Sequence, residues 1–558
     1  MDKSNSRLID FRSGFWAFML VIIGLSCVQI SYIFNGINWL DYGFLFLIPA
    51  LLLFSVKLLR ESIQETKDYC LGLGLLAVAV FLTLNLKYKF QVGTIDDNYH
   101  TYKVVAFSIK NSFFSKMQIF PIRDEVRMFF MDFTENIYGI AWRIFRWDFI
   151  IVLFQSLPVF VLWRELVDFF RKRNVVGYPG FLSAVIILSM QIIWSQASST
   201  YVDGITGVIA ALTLLKLSDL LSFPSSRNFY NISVTAFLSA LCLLTKVSSV
   251  FLALFAIIIC FWISLKSLKP KEILLAFLIL VPSLGYCFKH YISIWLLKGS
   301  PFYPMLGYKA FETFHLTGKD GICSQCYNAS LPDFKPIQII NSWIKDYQLG
   351  FVTADPWDVG NGLLWVYFVL PVLIIAFGLS IFNFRKMKLF TPSTLILLFI
   401  FLFYFLFDCS VAKRFMIGYN VFIMAWAFVW VITKFKSWRW CFPNWLIAAG
   451  ILFLFIPSWL SFSQSIKGAL YQNKVVSVLQ AQKQLFPKYI LCNNFQEKYC
   501  SLMLDKYKDQ SVPDKLGSVL NKCRIQFYKL SPKEKKMRPS EYRFEDVLAN
   551  YREMRFME

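Results

Sequence analysis

The stretch GFWAFMLVIIGLSCVQISYIF, residues 14–34, decides the class of fold that this sequence predicts. It contains no charged residue, and as a helix it would be about 32 Å long, which is enough to cross a bilayer. It is too long for the core of a signal peptide, and no small-residue cleavage site follows it. We therefore interpret it as a retained membrane-spanning helix.

Comparable apolar runs recur along the chain. The sequence of 558 residues is 57% hydrophobic and 16% charged, whereas soluble domains are about 25% charged. These features predict an all-α polytopic membrane protein with about 13 transmembrane helices, amphipathic helices in a large first outer loop and a small C-terminal extramembrane tail. The further predicted spans are 40–56, 70–86, 148–163, 178–194, 204–221, 229–244, 250–265, 273–290, 362–382, 391–407, 415–433 and 445–461.

The basic residues predict how the chain is oriented in the membrane. The net charge is +22, but the lysines and arginines form short clusters between apolar runs, which argues against a nucleic-acid-binding surface. If the N-terminus is cytoplasmic, the clusters all fall on the cytoplasmic side, as the positive-inside rule requires. We expect residues 1–461 to form the membrane domain, with outer loops at 87–147 and 291–361 and an extracytoplasmic tail at 462–558. The clusters are 57–67, 164–173, 266–271, 385–388 and 434–439.

The segment 93–103 is the strongest candidate for a catalytic site. It carries Asp96, Asp97, His100 and Lys103 directly after an apolar run. Acids are costly near a bilayer, and a carboxylate beside a second acid can have its pKa raised into the range of a general base. His100 and Lys103 are about one helical turn apart and can contact a phosphate or the carboxylates. The alternative is that one or both acids only cap the helix that follows.

Two short outer turns supply further candidates for substrate binding. The first runs from Gln196 to Asp203, and the structural alternative for Asp203 is a helix cap. The second contains Lys246, the single cation of its turn. Lys246 is a candidate phosphate ligand, and the alternative is a lysine whose side chain extends to the membrane surface.

Two later segments complete the predicted site. Tyr303 lies between two prolines in a stiff aromatic turn, which suits stacking on a sugar or lining a lipid groove. Lys413 and Arg414 occupy an outer turn, and Arg414 is the preferred ligand for a departing phosphate because it stays charged and binds bidentately. The sequence indicates no cofactor with certainty; a divalent metal is possible but not indicated, because the three histidines are far apart.

The cysteines fall into two groups. Cys242, Cys260 and Cys287 lie in apolar runs, together with two others nearer the N-terminus, and are expected to act as small hydrophobic residues. The cysteines of polar segments, including Cys323 and Cys326, can form disulfides if those segments face an oxidising compartment.

These motifs, taken in order, resemble the GT-C superfamily of integral membrane glycosyltransferases. The resemblance covers residues 15–430 and is carried by Asp96-Asp97-x-Tyr99-His100, Gln196-Ala-Ser-Ser-Thr with Asp203, Leu-Thr-Lys246, Gly299-Ser-Pro-Phe-Tyr303-Pro and Lys413-Arg414-Phe. It implies a polyprenyl-phosphate-linked sugar donor, a glycan, lipid or protein acceptor, and a first-loop aspartate as the base of an inverting transfer. Asp96 is the first choice for that base and Asp97 the second. The resemblance also implies a bacterial inner membrane.

Two other functions remain open from the sequence. A transporter or flippase for a polar lipid or oligosaccharide would place acids and broken helices near the bilayer midplane. Because the polar residues here gather at the outer boundary, the sequence favours the enzyme. An O-antigen-type polymerase or ligase would also use lipid-linked sugars and large outer loops.

Overall fold

The computed structural model describes two broad parts of the chain. The described residues are 133–135, 138, 149–188, 190, 192–193, 196, 202–246, 249–278, 280–298, 364–382, 395–400 and 416–437. Every regular element within these ranges is helical, which confirms the predicted all-α class for them. The predicted total of about 13 spans includes residues outside the described ranges.

Nine α-helices within the described ranges have defined bounds, and we number them in chain order. They are α1 Phe149–Lys172, α2 Tyr178–Leu188, α3 Asp203–Ser222, α4 Phe229–Thr245, α5 Val250–Ser267, α6 Pro270–Leu278, α7 Val281–Lys298, α8 Leu370–Phe382 and α9 Ile417–Ser437. A 3-10 turn, Pro224–Ser226, joins α3 to α4, and a π-helical turn, Trp365–Val369, leads into α8.

Helix α3 is the centre of the described bundle. It packs against α1, α4, α5 and α9, and 89% of its most apolar stretch is buried inside the protein. Three of the described helices are long and apolar enough to cross a membrane: α3, α5 and the Ile417–Phe435 part of α9. These helices suggest a membrane protein. A buried central helix surrounded by others is the arrangement expected of a polytopic bundle.

Helices α3 and α9 approach each other at a pair of glycines. A Cβ atom on Gly207 would lie 2.5 Å from the Cβ of Ile417, and one on Gly418 would lie 2.5 Å from the Cβ of Ala210. Small residues at such crossings let the two backbones come close, which is how helices associate in the absence of a hydrophobic driving force between them. The crossing fixes the first turn of α9 beside the first turns of α3.

Hydroxyl side chains inside α4 hydrogen-bond within their own helix. Ser233, Thr235 and Ser239 each donate to the carbonyl oxygen four residues earlier, at 2.7 Å. These bonds satisfy the polar groups without a partner from another helix, so α4 can be buried in an apolar bundle. The three buried cysteines of this region, Cys242, Cys260 and Cys287, are free thiols, as the sequence predicted.

The predicted boundaries agree with the structure in some spans and differ in others. The spans 204–221 and 229–244 agree with α3 and α4 to within one residue at each end; α4 begins after Asn228, whose side chain accepts a hydrogen bond from the backbone of Asn231 at 3.0 Å. The prediction 148–163 ended too early, because α1 continues to Lys172. The prediction 178–194 was too long for a single helix, since α2 ends at Leu188.

The predicted span 273–290 is wrong as a single helix. The structure divides this part of the chain into α6 and α7, with a turn around Leu280. The backbone N–H of Leu280 donates to Phe277, and that of Leu284 donates to Leu280. Pro282, the second residue of α7, is a local signal for a helix start. Hydropathy does not register the break, because the helices on both sides of it are apolar.

Candidate functional site

Two of the predicted site residues form an ion pair. The Nζ of Lys246 donates to Oδ1 of Asp203. Asp203 is the first residue of α3, and Lys246 directly follows the last residue of α4 in extended backbone conformation. The two outer turns that the sequence singled out separately are therefore joined by one contact.

The two partners differ in exposure. The Asp203 side chain is 1% exposed, whereas that of Lys246 is 18% exposed. A buried carboxylate needs a compensating charge, and Lys246 supplies it. Because the lysine is the more exposed partner, Asp203 holds the ammonium at an end of the bundle where part of it is still accessible.

The structure corrects the helix-cap alternative that the sequence left open for Asp203. Val202, not Asp203, occupies the capping position of α3, and Val202 makes no side-chain capping hydrogen bond. As the first residue of α3, Asp203 places a negative charge where the helix dipole is positive. Lys246 is oriented by an acid, an arrangement that neither of its two sequence interpretations included.

Gln196, the third predicted residue that the structure describes, is a fully buried helical residue. The sequence placed it in a short outer turn, so its helical position is a correction. A buried amide has to be hydrogen-bonded to be tolerated in such a setting. Gln196 is therefore better suited to an internal polar contact than to an exposed binding turn.

A second group of charges lies toward the other end of α3. Arg173 donates to Oδ1 of Asp219 at 2.8 Å, to Oγ of Ser218 at 2.8 Å and to the carbonyl oxygen of Phe169 at 3.2 Å. Its guanidinium also stacks 3.6 Å from the centre of the Phe169 ring. Lys172 adds a second cation, 2.5 Å from Oδ2 of Asp219. We call Lys172, Arg173, Ser218 and Asp219 the α1–α3 charge network.

Burial and pairing act in opposite directions on Arg173. Burial lowers the pKa of the Arg173 guanidinium, and the Asp219 carboxylate opposes that shift. A guanidinium remains charged under all ordinary conditions. The α1–α3 charge network is thus a charge-assisted connection between the end of α1 and the last turns of α3.

A buried ion pair lies about one helical turn before Asp219 on α3, further inside the bundle. The Nζ of Lys216 is 2.5 Å from Oε2 of Glu165, and the two side chains are 8% and 2% exposed. Lys216 lies 13 residues after Asp203, so the two ion pairs are about 20 Å apart along α3. Ionisable residues inside a membrane-spanning segment are expensive and usually functional.

The sequence interpretation missed this second pair. A signal was present, since Lys216 and Asp219 are the two charged residues that interrupt the apolar run 204–221. Hydropathy averaged over a span does not register one lysine among many aliphatic residues. Glu165 was missed because it falls in the basic segment 164–173, which was assigned to the cytoplasmic surface.

The other predicted site residues lie outside the described part of the chain. They are Asp96, Asp97, His100, Lys103, Tyr303, Lys413 and Arg414. Within the described ranges, no group of three or more histidine, cysteine, aspartate or glutamate side chains is placed to hold a metal ion.

Comparison with known proteins identifies no relative: no family model matches the chain, and no curated protein matches it.

Proposed function

We propose that this protein is an integral membrane glycosyltransferase that moves a sugar from a polyprenyl-phosphate donor to an acceptor hydroxyl at the outer face of the membrane. The observation that carries the proposal is the contact between Asp203 and Lys246. Both residues were selected from sequence as parts of one outer site, and they lie more than 40 residues apart in the chain. Their contact supports the grouping of the outer turns into one site.

The crossing of α3 and α9 supports the same grouping. Gly418, in the first turn of α9, packs against Gly207, one turn into α3 from Asp203. Lys413 and Arg414 come shortly before Met416 in the sequence. The outer turn that contains them thus leads into a helix whose first turn lies next to the Asp203 end of α3.

In the proposed reaction, Asp96 or Asp97 accepts the proton of the acceptor hydroxyl. The hydroxyl oxygen forms a bond to the anomeric carbon as the bond from that carbon to the phosphate oxygen breaks, and the polyprenyl phosphate leaves with the bonding electrons. This displacement inverts the anomeric configuration. Lys246, Lys413 and Arg414 stabilise the negative charge that develops on the phosphate.

Asp203 has a positioning role in this scheme. A free lysine side chain has many rotamers, and holding its ammonium in advance avoids that entropic cost at the moment of reaction.

The test is release of polyprenyl phosphate by the purified full-length chain in nanodiscs, supplied with a panel of polyprenyl-phosphate sugars and candidate acceptors. We expect Lys246→Gln to lower kcat by roughly a hundredfold, the effect of losing one charge-stabilising donor, while Lys246→Arg retains most of the activity. Lys434→Gln is the matched control, since Lys434 is an exposed lysine near the end of α9. Equal kcat for Lys246→Gln and Lys434→Gln would remove Lys246 from the site.

A transporter or flippase is the second candidate, and the pair Glu165–Lys216 is the observation that favours it. Both side chains are buried, and Lys216 lies inside a helix that can cross the membrane. Transporters use ionisable residues of this kind within their spans. If uptake of a lipid-linked saccharide into sealed vesicles depends on Glu165 and Lys216, and no glycosidic product forms, the transporter replaces the enzyme.

A further inference from the structure

Helix α5 has one apolar side that the described residues leave exposed. The side chains on it are exposed by between 46% and 64%. They recur every three or four residues and so lie along one side of the helix. The opposite side, which includes Ala253, Ala256, Cys260 and Ser264, is buried in the bundle. The exposed set is Leu254, Ile258, Phe261, Trp262 and Leu265.

Helices α6 and α7 also carry exposed apolar side chains. Leu274 and Leu275 of α6 are more than half exposed, as are Phe288, Trp295 and Leu296 of α7. Exposed apolar side chains in this number need an apolar environment. Since α5 is long and apolar enough to span a membrane, the acyl chains of the bilayer supply that environment.

A group of exposed lysines lies where this apolar surface ends. The Nζ of Lys266 is 3.9 Å from the centre of the Trp262 ring. Lys269 directly precedes α6, and Lys271 is the second residue of that helix. The carboxylate of Glu272 accepts a hydrogen bond from the backbone N–H of Lys269 at 3.0 Å. That carboxylate is therefore engaged in capping α6, and the three ammonium groups outnumber it.

We infer that residues 262–271, which we name the α5–α6 corner, bind the headgroup of an anionic phospholipid. An indole at the boundary of an apolar surface is typical of the membrane interface. Clustered lysines next to it attract anionic headgroups, with an effect of roughly fivefold in binding for each lysine near the surface. The acyl chains of the bound lipid would lie along the exposed side of α5.

This assignment depends on the membrane orientation of α5 and not on the proposed glycosyl transfer. The lysines 266–271 are one of the clusters that the sequence places on the cytoplasmic side, whereas the proposed site lies at the outer side. An anionic lipid of the cytoplasmic leaflet is therefore the expected ligand. Loss of the lipid site and loss of the enzymatic activity are separate outcomes.

The experiment uses the full-length chain in nanodiscs of phosphatidylcholine that contain a minor fraction of a brominated lipid, which quenches nearby tryptophans. The contribution of Trp262 is obtained by subtracting the signal of Trp262→Phe. We expect brominated phosphatidylglycerol to quench Trp262 several-fold more than brominated phosphatidylcholine does. In the triple variant Lys266→Gln, Lys269→Gln, Lys271→Gln, both lipids should quench Trp262 equally. This variant keeps the apolar surface and loses the positive charge.

Three results would overturn the inference. Equal quenching by the two lipids in the wild type would show that the corner does not select charge. No quenching of Trp262 by either lipid would show that the α5 surface does not face the bilayer. Loss of the preference on addition of inorganic phosphate, compared with chloride at the same ionic strength, would show that the lysines bind free phosphate. The control Lys434→Gln should retain the full preference.

Discussion

The Lys246 ammonium lies against the Asp203 carboxylate and so connects the end of α4 to the first residue of α3. An almost fully buried acid is neutralised by a lysine that still reaches the surface. The contact links two turns that are adjacent in space but separated in the sequence by the whole of α3 and α4.

Removing either member of this pair should destabilise the protein, and removing both should cost less. Asp203→Asn or Lys246→Met leaves one charge without its partner, which costs about 3 kcal/mol in a buried setting. The double variant leaves no isolated charge. Unfolding in detergent micelles measures the free energies, and a coupling energy near zero in the double-mutant cycle would contradict the pairing.

The pair Glu165–Lys216 should show the same behaviour more strongly, since both of its side chains are almost inaccessible. Lys216→Met alone should cost about 3–5 kcal/mol, because the Glu165 carboxylate remains buried. The double variant Glu165→Leu, Lys216→Met should recover most of the stability. If it recovers stability but abolishes turnover or uptake, the pair has a function beyond folding; if single and double variants are equally unstable, the two residues do not compensate each other.

The network at the end of α1 offers a comparison between neighbouring arginines. Arg173 has three hydrogen-bonded partners and a ring contact, whereas Arg171 is about half exposed and lies 3.6 Å from Asp168. We expect Arg173→Gln to lower the free energy of unfolding by about 2–3 kcal/mol, as for charged hydrogen bonds that leave a buried partner. Arg171→Gln should change it by less than about 1 kcal/mol. Equal losses of stability in Arg173→Gln and Arg171→Gln would contradict a stabilising role for the α1–α3 charge network.

The crossing of α3 and α9 is tested by two glycines of different environment. A methyl group at Gly418 meets Ala210 and the carbonyl oxygen of Gly207 at 2.5 Å, while nothing lies within 4 Å of one at Gly285. Gly418→Ala should therefore separate the helices and cost about 1–3 kcal/mol by overpacking. Gly285→Ala, in α7, should be neutral or stabilising by up to about 1 kcal/mol through helix propensity. If Gly418→Ala leaves the stability unchanged, α3 and α9 do not pack closely at Gly418.

The bounds of α3 and α4 were predicted well because residues that stop or start helices lie between them. Pro224 and Asn228 lie in the turn between the two apolar runs, and each stops or starts a helix by a local mechanism. A local signal was also present just after Leu280, because Pro282 is the second residue of α7. The run is apolar on both sides of it, and the break there was not predicted. The extension of α1 to Lys172 was not predicted, because the charged residues that follow Trp163 are typical of a loop at the membrane surface.

The ion pairs between helices could not be predicted from the sequence for a different reason. The charge pattern assigns residues to a side of the membrane, so Asp203 and Lys246 were placed on the same side. It does not determine which spans are neighbours, and for that reason neither their contact nor that of Glu165 with Lys216 was predicted. Those contacts depend on the packing of α1 and α4 against α3, which is a tertiary property.

In the proposed glycosyl transfer from a polyprenyl phosphate, a carboxylate of the predicted first outer loop acts as the base. The most direct measurement is the turnover of polyprenyl-phosphate sugars by the purified chain, comparing wild type with Asp96→Asn and Asp97→Asn. Loss of a general base lowers kcat by roughly a hundredfold to ten-thousandfold, and we expect that loss in one of the two variants, at unchanged folding. Equal turnover in all three proteins would show that neither Asp96 nor Asp97 is the base.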